Sequence, residues 1–408
     1  MKRVIVVGGG FAGINVAKSL GKVPNLEVIM VDKNNYHVFQ PLLYQVAMAG
    51  LNPSDIAVSL RSLLSGSKNT TIYMGTVTKI DPHNNQIETD FSSLSYDYLV
   101  LACGAIESFF GHNEWESYSF PLKTIEHARG IRRRVLTAFE KAEKTDDIEK
   151  QAKHLTFVIV GGGPTGVELA GSIGEMSKYT LAKDFKNVNT KLTKIFLVEA
   201  GDRILPTFDK KSSAKASTYL RKLGVRIYTS SKVTNIIKDS IEIEGKKIDS
   251  ATVIWAAGVK ASTFDEKYFN MDNTGRIFVE DDLSIKDFPN IFVAGDMAHF
   301  TQNSKPLQGI APVAIQQGRF IGRNILNEVN GKKRKNFKYI DKGQMVIIGR
   351  NKALAETGKL KFSGFFAWFV WLFIHLYYLV GFKNRTFVLL QWIWSYITYK
   401  KGSRLILP

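Results

Sequence analysis

An α/β fold class is predicted by two copies of a strand, glycine loop and helix pattern: two Rossmann-like dinucleotide-binding domains built on parallel sheets. An apolar, aromatic C-terminal end adds a membrane-associated helical tail to that prediction. The first copy runs from Val4–Val7 into Gly8-Gly9-Gly10-Phe11-Ala12-Gly13. The second runs from Phe157–Val160 into Gly161-Gly162-Gly163-Pro164-Thr165-Gly166, 153 residues further on.

Both loops match G-x-G-x-x-G between an apolar strand and a helix. There a parallel sheet aims backbone N–H groups and a helix N-terminus at a pyrophosphate. One match is weak evidence, because tight strand-to-helix turns are common. Two matches, each followed by a strand that ends in an acid, imply two dinucleotides.

In the first unit a helix is expected over Phe11–Leu20 and a strand over Glu27–Val31, closing on Asp32. Asp32 lies 24 residues after Gly8, near the spacing at which a carboxylate accepts the ribose hydroxyls of an adenosine. The plainer reading is a surface acid after a strand. Lys141–His154 reads as the end of a solvated helix leading into the second core strand. In the second unit the strand Lys194–Val198 ends on Glu199, 38 residues after Gly161. The extra length is the polar stretch Lys178–Lys191, expected as a helix end and loop. A carboxylate at Glu199 repels a 2′-phosphate and favours NADH over NADPH, with Arg203 as a local counterweight. Ala251–Ala257 and Asn290–Ala294 read as further strands, ending at Gly258 and at Gly295-Asp296. Gly331–Lys338 reads as a basic linker.

A chain of 408 residues has room for two or three domains, and 45% hydrophobic with 23% charged residues is an ordinary globular composition. A strand begins by Val4, which leaves no room for a signal peptide, so the catalytic domains are expected in the cytosol. A single cysteine, Cys103, excludes an intramolecular disulfide and a redox dithiol. The seven histidines are scattered, so no metal site is expected. The net charge of +18 suits either nucleic acid or an anionic membrane. No nucleic-acid motif is present, and the tail decides for the membrane.

Phe365–Phe382 is eighteen residues with one ionisable group. As a helix it measures about 27 Å against the ~30 Å of a bilayer core, so a span is admissible. Thr386–Tyr399, about 21 Å as a helix, is too short. Lys359, Lys361, Lys383, Arg385, Lys400, Lys401 and Arg404 flank these segments. A span would place Lys383 and Arg385 outside, against the positive-inside tendency. A tail lying in one interface keeps all seven on the headgroups, and Trp368, Trp371, Trp392 and Trp394 suit that depth. The expectation is monotopic attachment to an anionic lipid surface on the cytoplasmic face of the inner cell membrane. A homodimer interface is the alternative use of the apolar tail.

Asn290-Ile-Phe-Val-Ala-Gly-Asp296 resembles the second FAD motif of the two-dinucleotide-binding-domain flavoproteins. Tyr36-His-Val-Phe-Gln-Pro-Leu-Leu-Tyr-Gln-Val-Ala47, Leu99-Val-Leu-Ala-Cys-Gly104, Gly309-Ile-Ala-Pro-Val-Ala-Ile-Gln-Gln-Gly318 and the aromatic tail narrow the match. Together they resemble type II NADH dehydrogenases, the single-chain NADH:quinone oxidoreductases, over nearly the whole length. The resemblance implies an FAD domain over residues 1–112 and 275–330, an NADH domain over 113–274 and a membrane-anchoring region over 331–408.

Non-covalent FAD would be held by Gly8, Gly10, Phe11, Ala12, Gly13, Asp32, Lys33, Ala102, Gly104, Gly295, Asp296 and Gln317. NADH, a substrate, would lie on Gly161, Gly163, Gly166 and Glu199, with Ala257 and Gly258 letting the nicotinamide approach. For Asp296 the alternative is helix capping. Glu168 would order the nicotinamide or relay a proton to reduced quinone, although its place in a first helical turn is also explained by the helix dipole. The family's quinone signature, A-Q-x-A-x-Q, reads Ala311-Pro312-Val313-Ala314-Ile315-Gln316. Gln316 keeps the second glutamine as a candidate catalytic contact, and Pro312 replaces the first. Cys103 stands where the family commonly has threonine and reads as a packing residue.

The implied reaction passes a hydride from NADH to flavin and two electrons onward to a membrane quinone, without proton pumping. Sulfide:quinone oxidoreductases and disulfide reductases rely on cysteines that this chain lacks. A soluble-type reductase donating to a protein acceptor and a non-catalytic NADH-sensing flavoprotein are the remaining alternatives.

Overall fold

The computed structural model describes residues 1–262, 264, 267–400, 402 and 404–406. The chain forms two compact units. One comprises Met1–Val38, Ala57–Ile106 and Val259–Ile340, and the other Phe39–Ile56, Glu107–Gly258 and Asp341–Pro408.

The first unit is built on a six-stranded sheet in the spatial order Ser284–Ile285, Phe288–Val293, Tyr98–Leu101, Lys2–Val7, Leu26–Asp32, Thr70–Met74. All pairings are parallel except that of the first two strands. The central strands, buried on both faces, are continuous apolar runs such as Val4–Val7, as a parallel sheet requires. Helix Phe11–Leu20 begins where the sequence places it and packs against helix Ala311–Val329. That contact needs small residues: a Cβ on Gly318 would lie 2.2 Å from the Ala12 carbonyl oxygen. The basic stretch at 331–338 is irregular but fastened. Arg334 pairs with Asp282 and Glu328, and Phe337 is buried beside Phe300 and Phe320.

The second unit repeats the plan with five parallel strands in the order Phe120–Pro121, Thr252–Trp255, Thr156–Val160, Lys194–Val198, Val225–Tyr228. The charged run before its core strand is two helices, Ile125–Glu143 and Ile148–His154, where the sequence reading had one helix end. Asp147 starts the second by accepting the N–H groups of Glu149 and Lys150. Residues 39–56 join this unit through Arg132, a buried side chain on the first of these helices. Its guanidinium donates to the carbonyls of Val46 and Leu51 at 2.8 and 2.6 Å.

A three-stranded antiparallel sheet, Gln344–Gly349, Lys352–Thr357 and Leu360–Gly364, packs on helix Pro164–Glu175. The packing is close at Gly171, where a Cβ would stand 1.9 Å from the Ile348 carbonyl oxygen. Two helices follow, Phe365–Tyr378 and Phe382–Thr398.

The span that hydrophobic length leaves admissible for Phe365–Phe382, and that the flanking cations argue against, is not formed. The helix stops after 14 residues because Leu379 turns extended and Gly381 takes a φ of +91°. Among the described residues no helix is long and apolar enough to cross a membrane. The second helix starts four residues earlier than the sequence reading placed it and has 17 residues.

Candidate functional site

The two glycine loops repeat the same backbone hydrogen bonds. Gly8 N–H donates to Val31 O and Gly161 N–H to Val198 O, both at 2.8 Å. Gly8 and Gly161 have φ of +103° and +108°, values that L side chains rarely adopt. A Cβ on Gly13 would fall 1.9 Å from Gly8 O, and one on Gly166 would fall 1.8 Å from Gly161 O. These four glycines are therefore required by the turn and by the packing of helix on strand. Gly10 and Gly163 differ, because a Cβ there would meet nothing nearer than 3.9 Å. The chain alone does not demand glycine at those two positions. Close approach of a pyrophosphate to the backbone would.

The strand-terminal acids close each loop in the same manner. Asp32 accepts the N–H groups of Gly9 and Asn34 at 2.5 and 2.6 Å. Glu199 accepts those of Gly162 and Gly201 at 2.6 and 2.7 Å. Burial raises the Asp32 carboxyl pKa, and the two N–H donors and nearby Lys33 oppose the rise. Phe11 and Ala12 open the first loop helix. Lys33 is exposed beside the acid.

One residue of this site went unassigned in the sequence, although its motif was quoted. His37 is buried, lies edge-on to Phe11 at 4.9 Å, and places Nδ1 3.1 Å from Gly9 O. A carbonyl only accepts, so Nδ1 carries the proton and donates, fixing the carbonyl side of the loop. Burial lowers the His37 pKa to about 4, with the Gly9 bond opposing. Between about pH 6.5 and 4 the unfolded chain therefore binds a proton that the folded chain refuses. Stability contributed by His37 is complete above pH 6.5 and declines as pH falls to 4, by up to about 3 kcal/mol. Melting curves of the FAD-loaded protein across that range should show the decline, and His37→Asn should flatten it. An unchanged slope in the variant would remove His37 from the account.

Ala102 and Gly104 end the strand Tyr98–Leu101, and the Ala102 N–H donates to Val7 O at 2.8 Å. Between them the Cys103 thiol is pushed up to about 12 by burial, which suits packing and not nucleophilic attack. Gly295 donates its N–H to the buried Gln317 Oε1 at 2.7 Å, so Gln317 holds the Gly295-Asp296 turn in place from the helix. Asp296 follows, partly exposed, and its carboxylate abuts Gly309.

The Gln316 amide donates to Ile340 O at 2.9 Å and accepts Ile340 N–H at 3.0 Å. Both ends of that amide are thus engaged by a strap residue remote in sequence. Pro312 occupies the first turn of helix Ala311–Val329, where a missing N–H costs no helical bond.

In the second unit, Glu168 projects from helix Pro164–Glu175 and takes a hydrogen bond from the Ile347 N–H. Burial raises its pKa well above the usual carboxylate range, against that hydrogen bond. Burial thus favours its protonated form over the anion that the helix dipole favours. Burial raises the Tyr44 hydroxyl pKa, and an ionised Glu168 would raise it further. The Tyr44 hydroxyl accepts from Gln45 Nε2 at 2.9 Å, and Gln45 Oε1 accepts from Trp392 Nε1 at 2.8 Å. Tyr44, Gln45 and Trp392 line a cavity of about 140 Å³ together with Glu175, Trp368 and Trp371. Ala257 and Gly258 follow the strand Thr252–Trp255, and the Phe110 ring lies so close that a Cβ on Gly258 would fall 2.5 Å from its Cζ.

The pyridine nucleotide-disulphide oxidoreductase family model matches residues 2–318. The type II NADH:quinone oxidoreductase Ndh of Mycobacterium tuberculosis is 36% identical over 98% of this chain and 89% of its own length. That of Staphylococcus aureus is 31% identical over 85% of this chain and 88% of its own. Among solved structures, NDH2 of Plasmodium falciparum in complex with NADH superposes with a TM-score of 0.89, at 20% identity and full coverage of both chains. The sulfide:quinone oxidoreductase of Aquifex aeolicus reaches 0.76 at 19% identity, covering 95% of this chain and 92% of that one. At those identities the structural likeness speaks for the fold. The match over three quarters of the chain and the curated relatives place the chain in the pyridine nucleotide-disulphide oxidoreductase family, and within it among the type II NADH:quinone oxidoreductases.

Proposed function

We propose that this chain is a monotopic NADH:quinone oxidoreductase that uses non-covalent FAD and does not pump protons. The observation that carries the reading is the doubled loop with its acid. Two loops share one geometry, and each has one glycine, Gly10 or Gly163, whose Cβ would meet no close protein atom, which supports close approach of a nucleotide there. FAD supplies the two-electron relay that accepts hydride from NADH and returns electrons to a quinone. The residues do the positioning. Asp32 and Glu199 stand at the strand ends where ribose hydroxyls would be accepted, and the loop N–H groups and helix N-termini take the pyrophosphates. Glu168, whose protonated form burial favours, would hold or pass a proton. Gln316 is assigned a positioning role toward the acceptor site through its grip on Ile340. The detergent-solubilised protein should be yellow, bleach anaerobically with NADH and regain its colour on adding a quinone. Bleaching without recovery would replace the enzyme with a sensor.

The attachment to lipid is read from the tail's exposed apolar side chains. Phe369, Phe373, Trp394 and Ile397 are 58, 67, 60 and 71% exposed. Trp371 on the same helices is fully buried, so the tail is part of the unit's core and not a detachable tether. Of the seven cations, Lys361 pairs with Asp209 at 2.8 Å and Arg404 with Asp184. Arg385 caps the first tail helix by donating to the carbonyls of Tyr377 and Leu379. Lys359, Lys383 and Lys400 are exposed, and Lys401 lies outside the described residues.

The cytoplasmic membrane face is proposed as the location, with anionic lipid as the surface. Changing Phe369, Phe373, Trp394 and Ile397 to glutamine should lower vesicle binding on the order of a hundredfold, at about 1.5–3 kcal/mol for each side chain fully buried and less for partial insertion. FAD content should be retained. Undiminished sedimentation with vesicles would place the anchor elsewhere, and loss of self-association instead would favour the homodimer interface.

A further inference from the structure

Helix Lys210–Lys222 reads K-K-S-S-A-K-A-S-T-Y-L-R-K, five cations and no acid. Its buried side is Ser212, Ser213, Ala216 and Leu220, and all five cations are exposed. Lys211 and Lys215 stand four residues apart on one face, and like charges at that spacing repel. Asp209, the capping acid, accepts the Lys211 N–H at 3.0 Å and is paired through its other oxygen with Lys361. Nothing in the helix itself compensates the stripe.

The stripe is also placed against the root of the apolar tail. Lys215 Nζ donates to Ser363 Oγ at 2.5 Å, and the Tyr219 hydroxyl lies 3.7 Å from where a Cβ would stand on Gly364. Gly364 is the residue before the first tail helix, which opens with Phe365 and Phe366, both more than half exposed. Lys215 thus adjoins the point where the exposed apolar face starts.

We infer that helix Lys210–Lys222 is a second membrane-docking element, whose N-terminal lysines bind anionic lipid headgroups while the tail supplies the apolar contact. This rests on the monotopic reading above. Cations near an anionic surface add a screened attraction without inserting, so the helix governs lipid selectivity and salt dependence and leaves the apolar affinity to the tail.

The test uses the full-length, FAD-loaded protein with vesicles of phosphatidylcholine alone or with one third phosphatidylglycerol, at low and high salt. Lys210→Gln, Lys211→Gln and Lys215→Gln together should lower binding to the anionic vesicles by roughly tenfold or more at low salt and flatten the salt dependence. Binding to neutral vesicles and NADH oxidation with a water-soluble acceptor should be unchanged. Ser363→Ala, which removes only the Lys215 bond, should bind like the parent. A triple glutamine variant at Lys332, Lys333 and Lys335 removes equal charge elsewhere and should lose much less. Undiminished anionic binding in the helix variant, or an equal loss in both triple variants, would overturn the assignment. Failure of the parent to bind either vesicle would overturn the monotopic reading itself, and this one with it.

Discussion

Alanine at Gly13 should leave the protein colourless. The added methyl would sit 1.9 Å from the Gly8 carbonyl oxygen and 3.2 Å from Val6 Cγ1. The first contact is with backbone in a loop fixed by the Gly8 to Val31 hydrogen bond. Neither partner can yield without tilting helix Phe11–Leu20 away from the strand and turning the loop N–H groups off the pyrophosphate. Overpacking of this kind costs about 1–3 kcal/mol, and here more because backbone meets backbone, so FAD affinity should fall at least a hundredfold. Flavin absorbance per protein after gel filtration checks it. Gly10→Ala is the informative companion, since a Cβ there meets only Ala102 O at 3.9 Å. It should leave the melting temperature of the FAD-free protein unchanged and still weaken FAD. If both variants kept their flavin, the first loop would not be the FAD site.

Glu199→Ala should shift nucleotide preference from NADH toward NADPH. The carboxylate holds the Gly162 and Gly201 N–H groups and stands at the strand end where a 2′-hydroxyl would be accepted and a 2′-phosphate repelled. Removing a charge-assisted acceptor costs about 1.5–3 kcal/mol, so KM for NADH should rise tenfold to over a hundredfold. NADPH should suffer less, because the repulsion goes with the acceptor. Steady-state kinetics with both nucleotides decide it, and a constant preference ratio would mean that Glu199 does not face the ribose. Gly162 shares the carboxylate, so loop disorder could raise both KM values together. The ratio, not either KM alone, is therefore the measurement that counts.

The loops, helix Phe11–Leu20, strand Lys194–Val198 and the acids Asp32 and Glu199 were legible because their signals are local. An apolar run makes a buried parallel strand, a glycine at positive φ makes the turn, and the next acid follows one strand later. The split of Lys141–His154 into two helices was also written locally, in the cap at Asp147, and was hidden by the continuous charge of the run.

The tail shows where local reading stops. Counting apolar residues over Phe365–Phe382 measures hydrophobic length, whereas a span needs an unbroken helix, and the backbone at Leu379 and Gly381 breaks it. By residue type Trp371 suits a membrane interface, yet it is buried by the unit it belongs to.

The sequence by itself determined the two nucleotide loops, their acids and the redox class, since each depends on neighbours in the chain or on residue types that are present or absent. Only the tertiary structure decided that His37 holds Gly9, that Gln316 grips Ile340, that Arg132 draws residues 39–56 into the second unit and that burial raises the Glu168 pKa. The reason is physical. A hydrogen bond between groups 24 or 86 residues apart, and the desolvation of a carboxyl, are set by which surfaces the folded chain brings together, and a local pattern carries no record of that.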